Sequence, residues 1–350
     1  MSSELEALRQ IPLFASLDNT IIQGADLLWE IRHISAGDVL WLQGAPSTEL
    51  AFVLEGALKV EINHQVLGFV GRNDIIGELA TFTKDTRSAS VIADKDTSLL
   101  VLGREALFVL RDTHWKLYDK LLDLVLERLA LRIRDTNLKI AKNAEGDSKA
   151  PERKESNVFQ KFWQKVVGND AKNPPSAISA LRKLPGLNDI HPMSLQSIMA
   201  SMIPKHIPKG EVLILEGERA NSAYLIVEGV VEVYRNVRGG QKSQHLVSLY
   251  PGALLGTGAL ILSVVRNASC LASDNTDVWV YEMTQENHQK LEGEPSILWR
   301  EAILSSLAFQ LRTADDLLVV SKQGKPQQTD YDKVQGVLSA YQATDEAHLE

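Results

Sequence analysis

Short β-rich runs dominate the first hundred residues of the chain, and a longer helical pattern follows them. Residues 51–54, 58–62 and 98–102 are rich in apolar and β-branched side chains, and Glu55-Gly56 separates the first two runs. A Gly-containing step between two such runs is typical of a hairpin. From residue 115 to about 141 the apolar positions recur with the 3.6-residue period of a helix. The pattern therefore predicts a small β-barrel followed by one long amphipathic helix.

The same order of elements occurs twice along the chain. Residues 8–12 (LRQIP) recur as residues 181–185 (LRKLP), an offset of 173, and Glu55-Gly56 recurs at the same offset as Glu228-Gly229. The second copy also has a helical pattern, from about residue 297 to 320. Self-similarity at a fixed offset is the sequence signature of a repeat. We therefore predict a tandem duplication.

Changes of composition predict four segments. The first domain, with its long helix, covers residues 1–141, and the second covers residues 177–320. Residues 142–176 are charged and broken by Gly and Pro, which is typical of a linker, although an aromatic amphipathic segment lies at 158–167. Residues 321–350 form a polar tail.

The segment from Gly77 to Ser90 (GELATFTKDTRSAS) carries the most informative chemistry. Glu78 lies nine residues before Arg87. A carboxylate accepts hydrogen bonds from hydroxyl groups, and a guanidinium clamps a phosphate with its planar fork of donors. Backbone N–H groups at the start of a short helix after Gly77 would add to the anion cradle. The spacing suits a ligand whose hydroxyl and phosphate are a few ångströms apart.

This segment resembles the phosphate-binding cassette of cyclic-nucleotide-binding domains, in which Gly-Glu-Leu-Ala precedes an Arg-(Ser/Thr/Ala)-Ala triplet. The resemblance covers about residues 8–140 and 181–320. It implies a mainly β fold with α content: two jelly-roll, cupin-like β-barrels, each followed by a long amphipathic helix. It also implies that Glu78 accepts the ribose hydroxyl and Arg87 clamps the cyclic phosphate. The expected ligand-binding residues of this first cassette are Gly77, Glu78, Leu79, Ala80, Arg87, Ser88 and Ala89.

The long helix supplies two candidates for contact with the base. In the catabolite activator of this family a Thr-Ser pair on that helix lies against adenine, and Thr136 and Asn137 fall on those positions. This match favours cAMP over cGMP. The alternative is that both residues are polar positions on a helix surface. The apolar stripe of each helix either packs on its own barrel or forms a seam between protomers or between the two repeats, and we favour the seam.

The second copy departs from the family pattern at its acidic position. Arg87 aligns with Arg266 at an offset of 179, but Glu78 aligns with Thr257 at that offset, and Asp315 falls where the first helix has Asn137, at an offset of 178. A neutral hydroxyl makes weaker hydrogen bonds than a carboxylate. We therefore predict a degenerate second site that is structural or tuned to another ligand, with Arg266 paired to a local carboxylate as an alternative. Its residues are Gly256, Thr257, Arg266, Asn267 and Ala268.

Composition and motif content exclude several classes of function. The 350 residues carry a net charge of −8 and one cysteine, Cys270, and the eight histidines show no metal-ligand spacing. The acidic tail would repel nucleic acid phosphates, so direct DNA binding and a helix-turn-helix output domain are not expected. Catalytic motifs, a signal peptide and an apolar run long enough to span a bilayer are not found in the sequence. We expect a cytoplasmic, non-catalytic protein without metal or cofactor.

These observations together predict a cyclic nucleotide receptor, with cAMP as the expected ligand and cGMP as the alternative. It would signal through ligand-controlled contacts with a protein partner that the sequence does not identify, and it would form a homodimer through the long helices. Recognition of another nucleotide, such as a cyclic dinucleotide, is disfavoured by the retention of Glu78, and two further alternatives stay open. One is a non-catalytic dimerising scaffold with vestigial nucleotide sites, and the other is the regulatory subunit of a separate enzyme.

Overall fold

The computed structural model describes residues 3–15, 17–83, 86–144, 173–236 and 243–323. The chain divides into two compact units, Met1–Arg128 and Leu129–Glu350. The predicted amphipathic segment at 158–167 and the predicted tail beyond residue 323 lie outside the described residues.

The first unit is built on two four-stranded antiparallel sheets, with strand orders β1-β8-β3-β6 and β2-β7-β4-β5. Strands that are neighbours in sequence often lie in different sheets, which is the arrangement of a jelly roll. The strands are β1 (Trp29–Ile34), β2 (Val39–Trp41), β3 (Glu49–Glu55), β4 (Ala57–Ile62), β5 (Gln65–Gly71), β6 (Ile75–Ile76), β7 (Ser90–Ala93) and β8 (Thr97–Gly103).

Helices precede, interrupt and follow this barrel. Before it come α1 (Ser3–Gln10), α2 (Pro12–Ala15), α3 (Asn19–Ile22) and a 3₁₀ turn (Ala25–Leu28); α4 (Glu78–Thr83) interrupts it, and α5 (Arg104–Thr113) and α6 (Trp115–Ala144) follow it. The ring of Phe14 from α2 packs against Trp29 and Phe52, with centroid distances of 6.4 and 5.8 Å. This aromatic group fixes the N-terminal helices to the sheet that contains β1 and β3.

The second unit repeats the same topology with sheets β9-β16-β11-β14 and β10-β15-β12-β13. Its strands are β9 (Ile203–Ile207), β10 (Val212–Ile214), β11 (Ser222–Glu228), β12 (Val231–Asn236), β13 (Ser243–Leu249), β14 (Leu254–Leu255), β15 (Ser269–Ala272) and β16 (Val278–Thr284). Its helices are α7 (Ile178–Leu181), α8 (Pro192–Ala200), α9 (Thr257–Leu262), α10 (Gln285–Lys290) and α11 (Gly293–Gln323). The mainly β fold with two jelly-roll domains and following helices is confirmed.

The two cores match residue by residue at the offsets found in the sequence. The first core cluster comprises Ala51, Val53, Leu58, Ile76, Val91, Ala93, Leu99 and Val101. Adding 173 to the first three numbers and 179 to the others gives positions that all lie in the second cluster, which includes Tyr224, Ile226, Val231, Leu255, Cys270, Ala272, Val278 and Val280. Cys270 thus stands where the first copy has Val91, and burial raises the pKa of its thiol to about 12. It is a small buried side chain, as predicted.

A glycine makes the hairpin between β3 and β4 geometrically feasible. Gly56 has φ +94°, and a Cβ at this position would overlap the backbone carbonyl oxygen of Asp96. Gly229 has φ +83° and meets the carbonyl of Asp277 in the same way. Only glycine combines this left-handed conformation with such a close approach of a neighbouring strand.

The long helices follow the predicted apolar period but have different ends. Helix α6 continues to Ala144, and α11 begins at Gly293, four residues before the predicted start. The stripe of α6 is buried at Leu117, Leu121, Leu124, Val125 and Leu129. The first compact unit ends within this helix, at Arg128, and the rest of α6 belongs to the second unit.

Candidate functional site

The first cassette lies between β6 and β7, where Gly77 turns the chain into α4. Glu78 is only 1% exposed, and Leu79 and Ala80 are also buried. Arg87, which follows α4, is 4% exposed. Ser88 is exposed and Ala89 is half-buried. The structure therefore places the predicted acid and the predicted cation in the interior of one short segment, with the small residues nearer to its surface.

Three groups of the protein hold the Arg87 guanidinium. Its Nη1 donates to the Gly77 carbonyl at 3.4 Å, and its Nη2 donates to the Glu49 carbonyl at 2.8 Å. The carbon at the centre of the guanidinium lies 3.6 Å from the ring centroid of Trp41. The Nε atom is buried and has no hydrogen-bond partner among the described residues. The cation is thus fixed in orientation while part of its donor capacity is unused.

The absence of a side chain at Gly77 allows this arrangement. A Cβ at Gly77 would lie 2.5 Å from Arg87 Nη1 and 2.7 Å from the Trp41 ring, and the residue has φ +81°. Any other residue would be strained in its backbone and would displace both neighbours. The glycine that opens the cassette motif therefore sets how closely the arginine approaches the turn.

Trp41 and Glu49 are site residues that the sequence did not indicate. Trp41 Nε1 donates to Glu49 Oε1 at 3.0 Å, and both oxygens of Glu49 accept from Arg32, at 2.7 and 3.1 Å. This chain of contacts holds the indole over Arg87. Trp41 lies in β2 and Glu49 in β3, outside the cassette motif, so only the packing of the two sheets brings them to Arg87.

Burial governs the electrostatics of this site. Burial lowers the pKa of Arg87 to about 10, although the nearby Glu49 and Glu78 carboxylates act in the opposite direction. Burial alone would raise the pKa of Glu49, but the hydrogen bonds from Arg32 and Trp41 outweigh it and lower that pKa. Arg87 is therefore a charged, poorly solvated cation at neutral pH. Such a cation gains more from a neighbouring anion than a cation in water does.

The second cassette repeats the contact between glycine and arginine. Gly256 has φ +73°, and a Cβ there would overlap Arg266 Nη1. This Nη1 donates to the Gly256 carbonyl at 3.3 Å, and Nη2 donates to Ser222 Oγ at 3.2 Å. Arg266 is 6% exposed, and burial lowers its pKa. No carboxylate among the described residues lies within ion-pair distance of Arg266, so its predicted pairing with a local acid is wrong for this part of the chain.

The surroundings of the second arginine differ from those of the first. At the offset of 173, Ser222 stands at the position of Glu49 and Ile214 at that of Trp41. The ring of Tyr224 lies farther from its guanidinium, at 5.7 Å. Thr257, at the position of Glu78, is 2% exposed. The second site thus keeps the buried cation but lacks both the stacked indole and the acid at the start of the helix.

One of the two helix residues proposed for base contact, Thr136, has a partner in the second unit. Thr136 is buried there, and its Oγ1 donates to Asp315 of α11 at 3.4 Å. Arg132 lies 4.0 Å from the same carboxylate. Asn137 is helical, but its side chain lies outside the described residues. These contacts form a seam between α6 and α11 within the chain. A seam between protomers, and a contact of Thr136 or Asn137 with a base, stay predictions.

Comparison with known proteins supports the resemblance that the cassette indicated. The family model for the cyclic nucleotide-binding domain matches residues 31–114 and 204–291. The two matches fall on the two barrels. The chain contains two cyclic nucleotide-binding domains.

The curated relatives of these cyclic nucleotide-binding domains are much longer proteins. The cGMP-dependent protein kinase 2 of Mus musculus is 23% identical over 247 residues, which is 70% of this chain and 25% of the kinase. The cGMP-dependent protein kinase egl-4 of Caenorhabditis briggsae is 23% identical over 281 residues, 80% of this chain and 30% of the kinase. The chain thus spans only about a quarter to a third of the length of these relatives.

Solved structures with similar folds include regulatory parts of protein kinase A. The regulatory domain of Toxoplasma gondii PKA, crystallised with cAMP, is 20% identical, with 84% of this chain and 92% of that chain covered and a TM-score of 0.31. A regulatory subunit of a cAMP-independent protein kinase A from Trypanosoma cruzi, bound to guanosine, is 16% identical, with 97% and 94% covered and a TM-score of 0.31. At this level of similarity neither structure identifies a ligand for this chain.

The described residues contain no helix long and apolar enough to cross a bilayer. They also contain no group of three or more His, Cys, Asp or Glu side chains arranged to hold a metal ion.

The stack of Trp41 on Arg87 predicts a stability effect that needs no ligand. We expect Trp41→Leu to lower the free energy of unfolding by about 1–3 kcal/mol, because it removes a large side chain and the cation–π contact of a desolvated guanidinium. Urea denaturation followed by circular dichroism measures this change. Trp115→Leu is the matched control, since Trp115 is exposed. Equal effects of the two substitutions would contradict a special role for Trp41.

Proposed function

We propose that the first cassette binds a 3′,5′-cyclic purine nucleotide, with cAMP as the expected ligand, and that Arg87 holds its phosphate. The observation that carries the proposal is the state of Arg87. The guanidinium is almost fully buried, it contacts no carboxylate in the described structure, and its Nε has no partner there. Burying a cation without a directly paired counter-charge is unfavourable even with the Glu49 and Glu78 carboxylates nearby, so a bound anion would offset that penalty.

The remaining residues of the cassette have roles that follow from their chemistry. Glu78 would accept a hydrogen bond from the ribose 2′-hydroxyl, and the exposed hydroxyl of Ser88 would donate to a phosphate oxygen. Leu79 and Ala80 are buried beneath the turn and would form its apolar support. The backbone N–H of Ala89 would add one more donor to the phosphate.

The choice of base is the finer part of the proposal. Thr136 and Asn137 match the base-contacting pair of the catabolite activator, which supports cAMP. Thr136 would have to exchange its present partner, Asp315, for the base. The curated kinases are named for cGMP, so cGMP is the comparison ligand when nucleotide binding is measured.

The proposed output is a ligand-controlled contact with another protein. Nucleotide at the first cassette would draw the segment after the barrel towards the base and shift α6, whose two ends belong to different compact units. A ligand shifts such an equilibrium only by its difference in affinity for the two helix positions. We propose that the protein acts in the cytoplasm as a non-catalytic homodimer, and that it uses no metal or cofactor.

A regulatory subunit of a separate enzyme is the second candidate function. It is favoured by the cGMP-dependent protein kinases among the curated relatives, which are matched over only about a quarter to a third of their length. Under this alternative a kinase or another enzyme would co-purify with the chain and dissociate when the cyclic nucleotide is added. A dimerising scaffold without nucleotide control would give no heat in calorimetric titrations with cAMP or cGMP.

The first of three predictions on nucleotide binding concerns the phosphate contact. We expect Arg87→Ala to weaken cyclic nucleotide binding by about 2–5 kcal/mol, because it removes the buried cation aimed at the phosphate. Isothermal titration calorimetry with cAMP and with cGMP measures the loss, and circular dichroism checks the fold. Arg128→Ala is the control, since Arg128 is partly exposed and pairs with Asp74. Unchanged affinity in Arg87→Ala would refute the proposed site.

The second prediction concerns the ribose. Glu78→Ala should weaken binding by about 1.5–3 kcal/mol, because a charge-assisted hydrogen bond to the 2′-hydroxyl is lost. A 2′-deoxy nucleotide should bind the wild-type protein poorly, and it should bind the variant nearly as well as the parent nucleotide does. A double-mutant cycle compares the two losses. If the losses simply add, Glu78 does not contact the ribose.

The third prediction is the stoichiometry. Both domains keep the arginine, but we expect one cyclic nucleotide per chain. The hydroxyl of Thr257 cannot replace a carboxylate, and Asp315 adds negative charge at the helix position proposed for base contact. Calorimetry gives the number of sites directly, and Arg266→Ala should leave it at one. Two nucleotides per chain, falling to one in that variant, would mean that the second domain is also a nucleotide site.

A further inference from the structure

The second unit contains a cavity of about 740 Å³ over its cassette. Its volume lies in the range of small-molecule sites, about 300–1,000 Å³. Among the described residues three cationic side chains line it, Arg134 from α6, Lys183 and Arg266, and no Asp or Glu does. Arg134 is paired with Asp135 at 3.5 Å, which leaves Lys183 and Arg266 as the cations of the described wall without an ion pair. In a chain with a net charge of −8, this wall is locally positive and favours an anion.

Most of the remaining wall is apolar. Ile133 of α6, Val247 of β13, Phe309 of α11, and Leu262 and Val264 after the cassette helix all line the cavity. These side chains come from four separate segments of the chain, and all of the segments belong to the second compact unit. The wall offers few hydrogen-bond partners to a polar ligand body, whereas a hydrocarbon body would bury apolar surface against it.

The cavity lacks the group that a ribose requires. Thr257 occupies the position of Glu78, and the wall residues that the structure describes include no carboxylate that could accept from a ribose hydroxyl. The anion-binding part, in contrast, is intact. Two N–H groups of Arg266 donate to Gly256 and Ser222, as the two Nη atoms of Arg87 do to carbonyls in the first domain. A guanidinium has five N–H donors, so others stay available to an anion.

We propose that this cavity binds an anionic amphiphile, with a carboxylate or phosphate head on Arg266 and an aliphatic body against the apolar wall. The proposal does not depend on nucleotide binding at the first cassette. Carboxylate and phosphate heads share the chemistry that Arg266 recognises, since both accept charge-assisted hydrogen bonds from a guanidinium.

Calorimetry of the full chain with three ten-carbon probes tests the proposal: decanoate and decyl phosphate, each below its critical micelle concentration, and the neutral decanol, below its solubility limit in water. We expect at least one of the two anions to bind with one molecule per chain, and decanol to bind at least about tenfold more weakly, because it lacks the charge-assisted bond to Arg266. The comparison of the two anions identifies the preferred head group.

Two variants assign the probe to the cavity. Arg266→Met should weaken binding of the anionic probe by at least about tenfold. The same substitution at Arg128, a partly exposed arginine that pairs with Asp74 and does not line the cavity, should leave binding of that probe unchanged. Val264→Trp is an independent variant that fills the cavity from a loop, and it should also abolish binding. It keeps the test valid if Arg266→Met fails to fold.

Several results would overturn the proposal. They are the absence of binding by both anions, equal binding of decanol and decanoate, or full affinity in Arg266→Met and Val264→Trp. A cyclic nucleotide that binds this domain and is lost with Arg266→Met would likewise overturn it, because the cavity would then be a nucleotide site.

Discussion

A buried arginine that lies against a side-chain-free turn is the constraint on which both domains depend. In each domain the carbonyl oxygen of a glycine with positive φ accepts a hydrogen bond from the guanidinium. The same close approach leaves no room for a Cβ on that glycine. The arginine follows the cassette helix, so this contact fixes the helix, the turn and the start of the next strand together. The barrel around it shields the guanidinium from water, and this is why the pKa of the arginine is lowered in both copies.

The two domains differ in what surrounds that arginine. In the first, Trp41 stacks on Arg87, and Glu49 links the indole to Arg32. In the second, Ile214 and Ser222 stand at the matching positions, and the acid at the start of the helix is replaced by Thr257. The same backbone frame therefore holds one cation near the Glu49 and Glu78 carboxylates and another beside a cavity whose described wall residues include no acid. The anion sites proposed for the two domains would therefore differ in selectivity.

Helix α6 connects the two environments within one continuous element. Its first part carries the buried stripe of the first unit. Its last part supplies Thr136 to the contact with Asp315 and Arg134 to the cavity wall of the second unit. The apolar period indicated a helix that packs along its length. The period does not determine which neighbour each helical turn contacts, because one apolar stripe can pack equally well on a barrel or on another helix.

The sequence alone determined the duplication and the position of the first cassette motif, and the resemblance of that motif to a known family implied the jelly-roll class. Glycines recur at fixed offsets because hairpins such as the one at Gly56 require them, and Glu78 and Arg87 lie within one local motif, so short-range pattern was enough. Only the tertiary structure decided that Trp41 stacks on Arg87, that Thr136 donates to Asp315 and that Arg266 is buried. Each of these depends on contacts between segments far apart in the chain, which side-chain packing selects and local spacing does not encode.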